Sequence, residues 1–126
     1  MSLLLDAHTF FWWLTGSSSL SQAAQKAIEE GTCFVSAATA SELSNKVRFG
    51  KFEAAKEVIA NLSDILRHNN FGPLPVSLEH ASHAGNLPGI HQDPFDRLLA
   101  AQSLVEGYPL VTNDHVFREF GVETVW

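Results

Sequence analysis

Cysteine is nearly absent from this sequence; Cys33 stands alone. One thiol cannot close an internal disulfide, nor can it hold zinc by itself. Long apolar runs are missing as well, and none approaches the roughly 18 residues that a membrane helix needs. The short run Leu3-Leu4-Leu5 has no basic segment before it, and Asp6 interrupts it, unlike a secretory signal. Bases are in deficit, 8 Lys and Arg against 14 Asp and Glu, for a net charge of −6. That balance excludes a broadly basic surface that grips nucleic acid regardless of sequence. It leaves room for an acidic metal centre with a local basic rim. Only 8 Gly and 5 Pro are present, which excludes collagen-like and low-complexity chains. These absences predict a soluble protein of a reducing compartment, most simply the cytoplasm.

What is present describes a folded chain. Its 126 residues suit one domain over 1–126, and 45% hydrophobic against 17% charged residues excludes disorder. Short apolar runs at Leu3–Leu5, Cys33–Val35, Leu74–Val76, Leu110–Thr112 and Val122–Val125 read as strands. Proline in the third run predicts an edge position or a strand start. Between them lie helical patterns: His8–Leu14, Ser21–Glu30 stopped by Gly31, a segment with Leu43 and Val47, Leu78–Asn86 and Asp93–Glu106. Residues Glu53–Arg67 form the clearest amphipathic pattern, with Ala54, Val58, Ile59, Leu62, Ile65 and Leu66 on one stripe. A short helical turn is expected over Val116–Phe120. Strands alternating with helices predict an α/β three-layer sandwich with a mostly parallel central sheet.

Four acids stand out against that pattern: Asp6, Glu42, Asp96 and Asp114. Asp6 and Asp114 follow predicted strands, whereas Glu42 and Asp96 fall near predicted helix starts. Each has a purely structural reading. Asp6 could cap the next helix. Thr39-Ala40-Ser41-Glu42 reads as a capping box. In Asp93-Pro94-Phe95-Asp96, Asp93 reads as the cap and Pro94 as the first helical residue. Asp114 could open the last helix. Their common location says more. In a parallel sheet, strand carboxyl ends and following helix starts share one edge, where ligands bind. Four carboxylates there repel one another, and a hard divalent cation, Mg²⁺ or Mn²⁺, resolves the conflict. Such a centre can activate water and stabilise in-line attack on a phosphodiester.

These segments also resemble a family. Leu-Leu-Leu-Asp at 3–6, Ser36 followed by Glu42, Asp93-Pro-Phe-Asp-Arg-Leu-Leu-Ala-Ala-Gln at 93–102 and Leu-Val-Thr-Asn-Asp at 110–114 are similar to a PIN domain. The nearest branch is the VapC-like toxins of bacterial toxin–antitoxin pairs. The resemblance spans nearly the whole chain in the right order. It implies a PIN-like fold and a metal-dependent endoribonuclease acting on RNA, with Asp6, Glu42, Asp96 and Asp114 as catalytic and metal-holding acids. It also implies a protein antitoxin covering the site, and a homodimer. Thr112 matches the family's hydroxyl before the last acid and is expected to orient Asp114 or a metal-bound water. Two positions depart from the pattern. Ala7 replaces the usual small hydroxyl residue, and Val116 stands where some relatives carry another acid.

Other residues carry two readings each. Ser36 could cap the Glu42 helix or support the metal site, and Asp93 stands behind Asp96 in the same way. Lys46, Arg48, Lys51, Arg97 and Arg118 are the candidate substrate rim, with Arg97 and Lys46 foremost. Arg97 could bind phosphate or orient a carboxylate. His8, His91 and His115 flank the acids and could ligate metal or bind phosphate, although solvent-facing histidines are commoner. Phe10, Phe11, Trp12 and Trp13 read as core and dimer packing before base stacking, Trp126 as strand packing and Cys33 as inert core. Two other functions fit the composition. One is a small Mg²⁺-dependent phosphatase or receiver domain, although Asp6-Ala7-His8 lacks the Asp-x-Asp of aspartyl phosphatases. The other is a non-catalytic acidic binding module.

Overall fold

The computed structural model describes all residues from Met1 to Trp126. Its strands are β1 (Ser2–Leu5), β2 (Thr32–Ser36), β3 (Gly72–Leu74), β4 (Leu110–Val111) and β5 (Thr124–Val125). Every pairing is parallel, in the order β3-β2-β1-β4-β5. Parallel strands need helical crossovers, which cover both faces of a sheet. The helices are α1 (Ala7–Thr15), α2 (Gln22–Glu30), α3 (Ala37–Arg48), α4 (Lys56–Ala60), α5 (Leu62–His68), α6 (Leu78–Asn86), α7 (Pro94–Glu106) and α8 (Val116–Glu119).

Alternation along β1 builds two cores. Leu3 and Leu5 point to one face and join Phe10, Ala24, Ile28, Leu43 and Leu66 from α1, α2, α3 and α5. Leu4 points to the other and joins Ala84, Leu99, Ala100, Phe117 and Phe120 from α6, α7, α8 and the residue after it. All three leucines are at most 1% exposed, and each such burial contributes about 1.5–3 kcal/mol. The layers are therefore helix, sheet, helix. Phe10 is buried, and Phe11 and Trp13 pack on the first core. Trp12 lies half-buried between Trp126 and His8, with ring centroids 5.9 and 5.6 Å away. Cys33 is buried in β2, and burial pushes its thiol up to about 11.

Two expected elements differ. The amphipathic stretch from Glu53 is no single helix but a 3₁₀ turn (Glu53–Ala55), α4 and α5, interrupted at Asn61. Asn61 leaves helical geometry at φ −123°, and its side-chain amide donates to the Glu57 carbonyl at 2.9 Å. That bond competes with the helix ladder, as Asn side chains commonly do. The third strand lies at Gly72–Leu74, ahead of the expected Leu74–Val76. It is an edge strand, as Pro73 and Pro75 require.

The strand order fixes where a ligand would lie. From β1 the chain builds outward through β2 and β3, then returns to β1's other side for β4 and β5. The order reverses between β1 and β4, and the space beyond their carboxyl ends is where open parallel sheets bind ligands. Asp6 directly follows β1, and Thr112–Asp114 follow β4.

Candidate active site

Asp6 caps α1: the Thr9 backbone N–H donates to its Oδ1 at 2.8 Å. Its Oδ2 accepts from the Thr112 hydroxyl at 2.5 Å. The residue is only 6% exposed, so both bonds hold a buried charge in one orientation. Thr112 Oγ1 also accepts from the Asp114 backbone N–H at 3.0 Å. One hydroxyl thus ties the end of β1 to the chain leaving β4. Asp114 is exposed, and its Oδ1 accepts from the Val116 N–H at 3.1 Å, which helps to open α8. Thr112 therefore orients Asp6 and the backbone of Asp114.

Glu42 sits within α3, not at its start. Ser36 is the true cap, accepting from the Ala38 N–H at 2.9 Å, and the helix begins at Ala37. The expected Thr39-to-Glu42 capping box is absent, because Thr39 is already a buried helical residue. Glu42 is thereby free of any capping duty, and it pairs with Lys46 at 3.2 Å, one turn on.

α7 begins as its sequence implies. Asp93 Oδ1 accepts from the Phe95 and Asp96 N–H groups at 2.9 and 3.0 Å, and Pro94 is the first helical residue. The helix ends on Gly107, whose φ of +72° suits glycine. Asp93 takes the cap, so the Asp96 carboxylate is released from it. His91 Nε2 donates to Asp96 Oδ2 at 2.8 Å. Burial raises the Asp96 carboxyl above its ordinary value; the His91 hydrogen bond opposes that rise, and the Asp93 and Glu42 charges add to it.

The acids thus stand in two groups. Asp6 and Asp114 are joined through Thr112, and Glu42 and Asp96 feel each other's charge. As they stand, no three His, Cys, Asp or Glu side chains converge tightly enough to hold a metal ion. The chemistry of the donors does fit one. All four are hard oxygen donors, and Asp96 is half-buried among like charges with only Lys46 close to Glu42 as a counter-charge.

Arg97 is placed differently from its expected rim role. Arg97 donates through Nε to the Ala84 carbonyl at 3.0 Å, through Nη1 to His91 at 3.0 Å and through Nη2 to Leu87 at 2.5 Å. It fastens the end of α6 and the following loop, so its substrate-rim reading gives way to a structural one. Ser36 donates to Gln102 Oε1 at 2.5 Å, and Gln102 Nε2 donates to the Pro75 carbonyl at 3.2 Å. Gln102 is fully buried and ties α7 to the ends of β2 and β3. In the sequence Gln102 is only the last residue of the 93–102 segment. A polar residue after Leu-Leu-Ala-Ala on a buried helix face was the available signal. His91, expected as a ligand or a solvent-facing residue, is tied to Asp96 by a contact that no local pattern signals. His8 and His115 are exposed and make no hydrogen bond to the acids, and Arg48 lies 4.2 Å over the Phe49 ring.

Known proteins share the sequence pattern and the fold. The PIN domain family model matches residues 3–123. Ribonuclease VapC22 of Mycobacterium tuberculosis is 32% identical over 120 residues, covering 93% of this chain and 90% of that protein. Among solved structures, VapBC2 from Rickettsia felis, bound to a DNA fragment from its promoter, matches at a TM-score of 0.73 and 18% identity. That match covers 98% of this chain and 97% of the other. FitAcB from Neisseria gonorrhoeae matches at a TM-score of 0.62 and 21% identity, covering 98% and 96%. At these identities the two structures show the shared fold.

Proposed function

The chain belongs to the PIN-domain family, in its VapC-like branch, and from that premise we propose that it is a metal-dependent endoribonuclease, the toxin of a toxin–antitoxin pair. The observation that carries this reading is the crowding of negative charge at Asp96, half-buried beside Glu42 and Asp93, at the edge where the strand order reverses. The phosphatase, receiver and binding-module readings offer no account of that crowding together with family membership.

We assign Asp6, Glu42, Asp96 and Asp114 as the acids that hold Mg²⁺ or Mn²⁺. The bound cation supplies Lewis acidity toward the phosphodiester and toward its attacking water. Thr112 holds Asp6 from behind, while Asp93 and Ser36 hold the starts of α7 and α3. Lys46 forms an ion pair with Glu42 and is the candidate contact for an RNA phosphate. Ala7 and Val116 remove two polar groups that relatives place nearby, so the four acids carry the site here.

The partners follow from the relatives. VapBC2 from Rickettsia felis is bound to a DNA fragment from its promoter, and a toxin–antitoxin complex from Klebsiella pneumoniae shares the fold. By extension a protein antitoxin covers the acidic edge of this chain, which works as a homodimer of one-domain subunits. No helix is long and apolar enough to cross a membrane, and the cytoplasm is the proposed setting.

The test is cleavage of total cellular RNA by the purified full chain, with and without Mn²⁺, beside Asp96→Asn. New 5′ ends are mapped by sequencing. Discrete cuts that need both metal and Asp96 support the reading. Cuts that persist equally in Asp96→Asn, with metal or without, refute it.

A further inference from the structure

His91 occupies an unusual position for a loop residue. It lies five residues before Asp96 in sequence, in the loop between α6 and α7, and its ring is 30% exposed. Three features hold it there. Its own carbonyl accepts from Arg97 Nη1 at 3.0 Å. The same guanidinium binds the Ala84 and Leu87 carbonyls, which locks the loop's beginning to the residue after Asp96. The Phe120 ring stands edge-on to the imidazole at 6.0 Å and lies 5.6 Å from the Arg97 guanidinium. Within the loop Gly89 has φ +107°, a conformation that a side chain would strain and that glycine permits. An arginine and an aromatic ring therefore converge on the placement of one imidazole.

That imidazole meets Asp96 at a single oxygen. Nε2 donates to Oδ2 at 2.8 Å and leaves Oδ1 for a cation. Asp96 does not cap its helix, because Asp93 does, so no backbone N–H fixes its carboxylate. His91 is the one side chain that does.

We propose that His91 is a positioning residue of the cation site, setting the Asp96 carboxylate through the Nε2-to-Oδ2 hydrogen bond and held in place by Arg97 and Phe120. This rests on the reading of Asp96 as a metal-holding acid. Partners that orient metal-holding groups typically change affinity by about 10–100-fold when removed.

Two substitutions separate the hydrogen bond from the packing. His91→Phe keeps a ring beside Phe120 and loses the donor. His91→Gln loses the ring and keeps an amide donor in the place of Nε2. Mn²⁺ affinity of the full chain is measured by calorimetry, alongside the metal-free melting temperature. The expected result is a fall of about 10–100-fold in Mn²⁺ affinity for His91→Phe with unchanged melting, and near wild-type affinity for His91→Gln. Wild-type affinity in His91→Phe overturns the proposal. Equal losses in both variants also overturn it, because the imidazole itself is then required. Should His91→Phe not fold, His91→Leu, which also lacks the donor, takes its place on the same terms. Asp96→Asn distinguishes the two levels of failure. If it loses Mn²⁺ while His91→Phe does not, only the positioning role falls. If wild type binds no Mn²⁺, the nuclease reading falls with it.

Discussion

Asp6 and Asp96 lie on opposite sides of the same edge and are held in opposite ways. Asp6 is both helix cap and site residue; its two oxygens are bound by a backbone N–H and a buried hydroxyl. Asp96 caps nothing. Asp93 satisfies the α7 amides, and Asp96 keeps one hydrogen bond, from a side chain on a loop. Glu42 resembles Asp96, since Ser36 caps α3 in its stead. The contrast teaches that a carboxylate near a helix start is adjustable only where another residue has taken the cap. The strand-end acid is scaffold as well as chemistry, and the helix acids are freed for chemistry alone.

The sharpest way to test that contrast is to remove each acid. Asp96→Asn is expected to lower RNA cleavage at least ~100-fold, measured by 5′-end mapping, while the chain stays folded. It should also be the more stable protein at neutral pH. The folded-state carboxyl is raised above its ordinary value, so its contribution favours folding at low pH and is lost as pH rises through the folded value. Unfolding free energies of wild type and Asp96→Asn, compared from acid to neutral pH, should therefore diverge in favour of the variant as pH rises. Asp6→Ala should instead lose both activity and stability. Loss of the cap and of the Thr112 partner together cost roughly 2–4 kcal/mol by urea unfolding. Equal stability effects at the two positions would break the comparison.

Smaller effects refine it. Gln102→Leu strands the Ser36 hydroxyl and the Pro75 carbonyl and is expected to cost about 1–3 kcal/mol in the same unfolding experiment. The loss should fall on the site as well, because Gln102 joins α7 to the α3 cap. Lys46→Ala removes a partly exposed pair and should change stability by less than ~1 kcal/mol. Its effect belongs in KM for RNA, measured by initial rates.

Much of this was legible beforehand, for physical reasons. The alternating strands, the edge position of the proline-bearing strand and the Asp93-Pro94 helix start all rest on local rules that tertiary structure did not override. The common edge expected for the acids rests on parallel topology, which the sheet has. The failures are equally physical. The Thr39-to-Glu42 box competed with Ser36 for the same helix, and the earlier cap is the one formed: Ser36, the last residue of β2, accepts from the Ala38 N–H. The break at Asn61 came from a side-chain bond that hydrophobic periodicity does not register. An arginine beside a candidate acid suggests an electrostatic role, whereas the carbonyl partners of Arg97 come from a loop whose path no local pattern reveals. His91 and Gln102 were hidden for the same reason: their contacts depend on how α7 meets its neighbours.

The central claim is that Asp6, Glu42, Asp96 and Asp114 close on a cation where the sheet reverses its order. A crystal of the full chain grown with Mn²⁺ and measured for manganese anomalous scattering tests it most directly. The account predicts a peak beyond the carboxyl ends of β1 and β4, within bonding distance of Asp96 and of at least one other of the four acids. No peak there, or manganese held elsewhere in a protein that still cuts RNA, would contradict it.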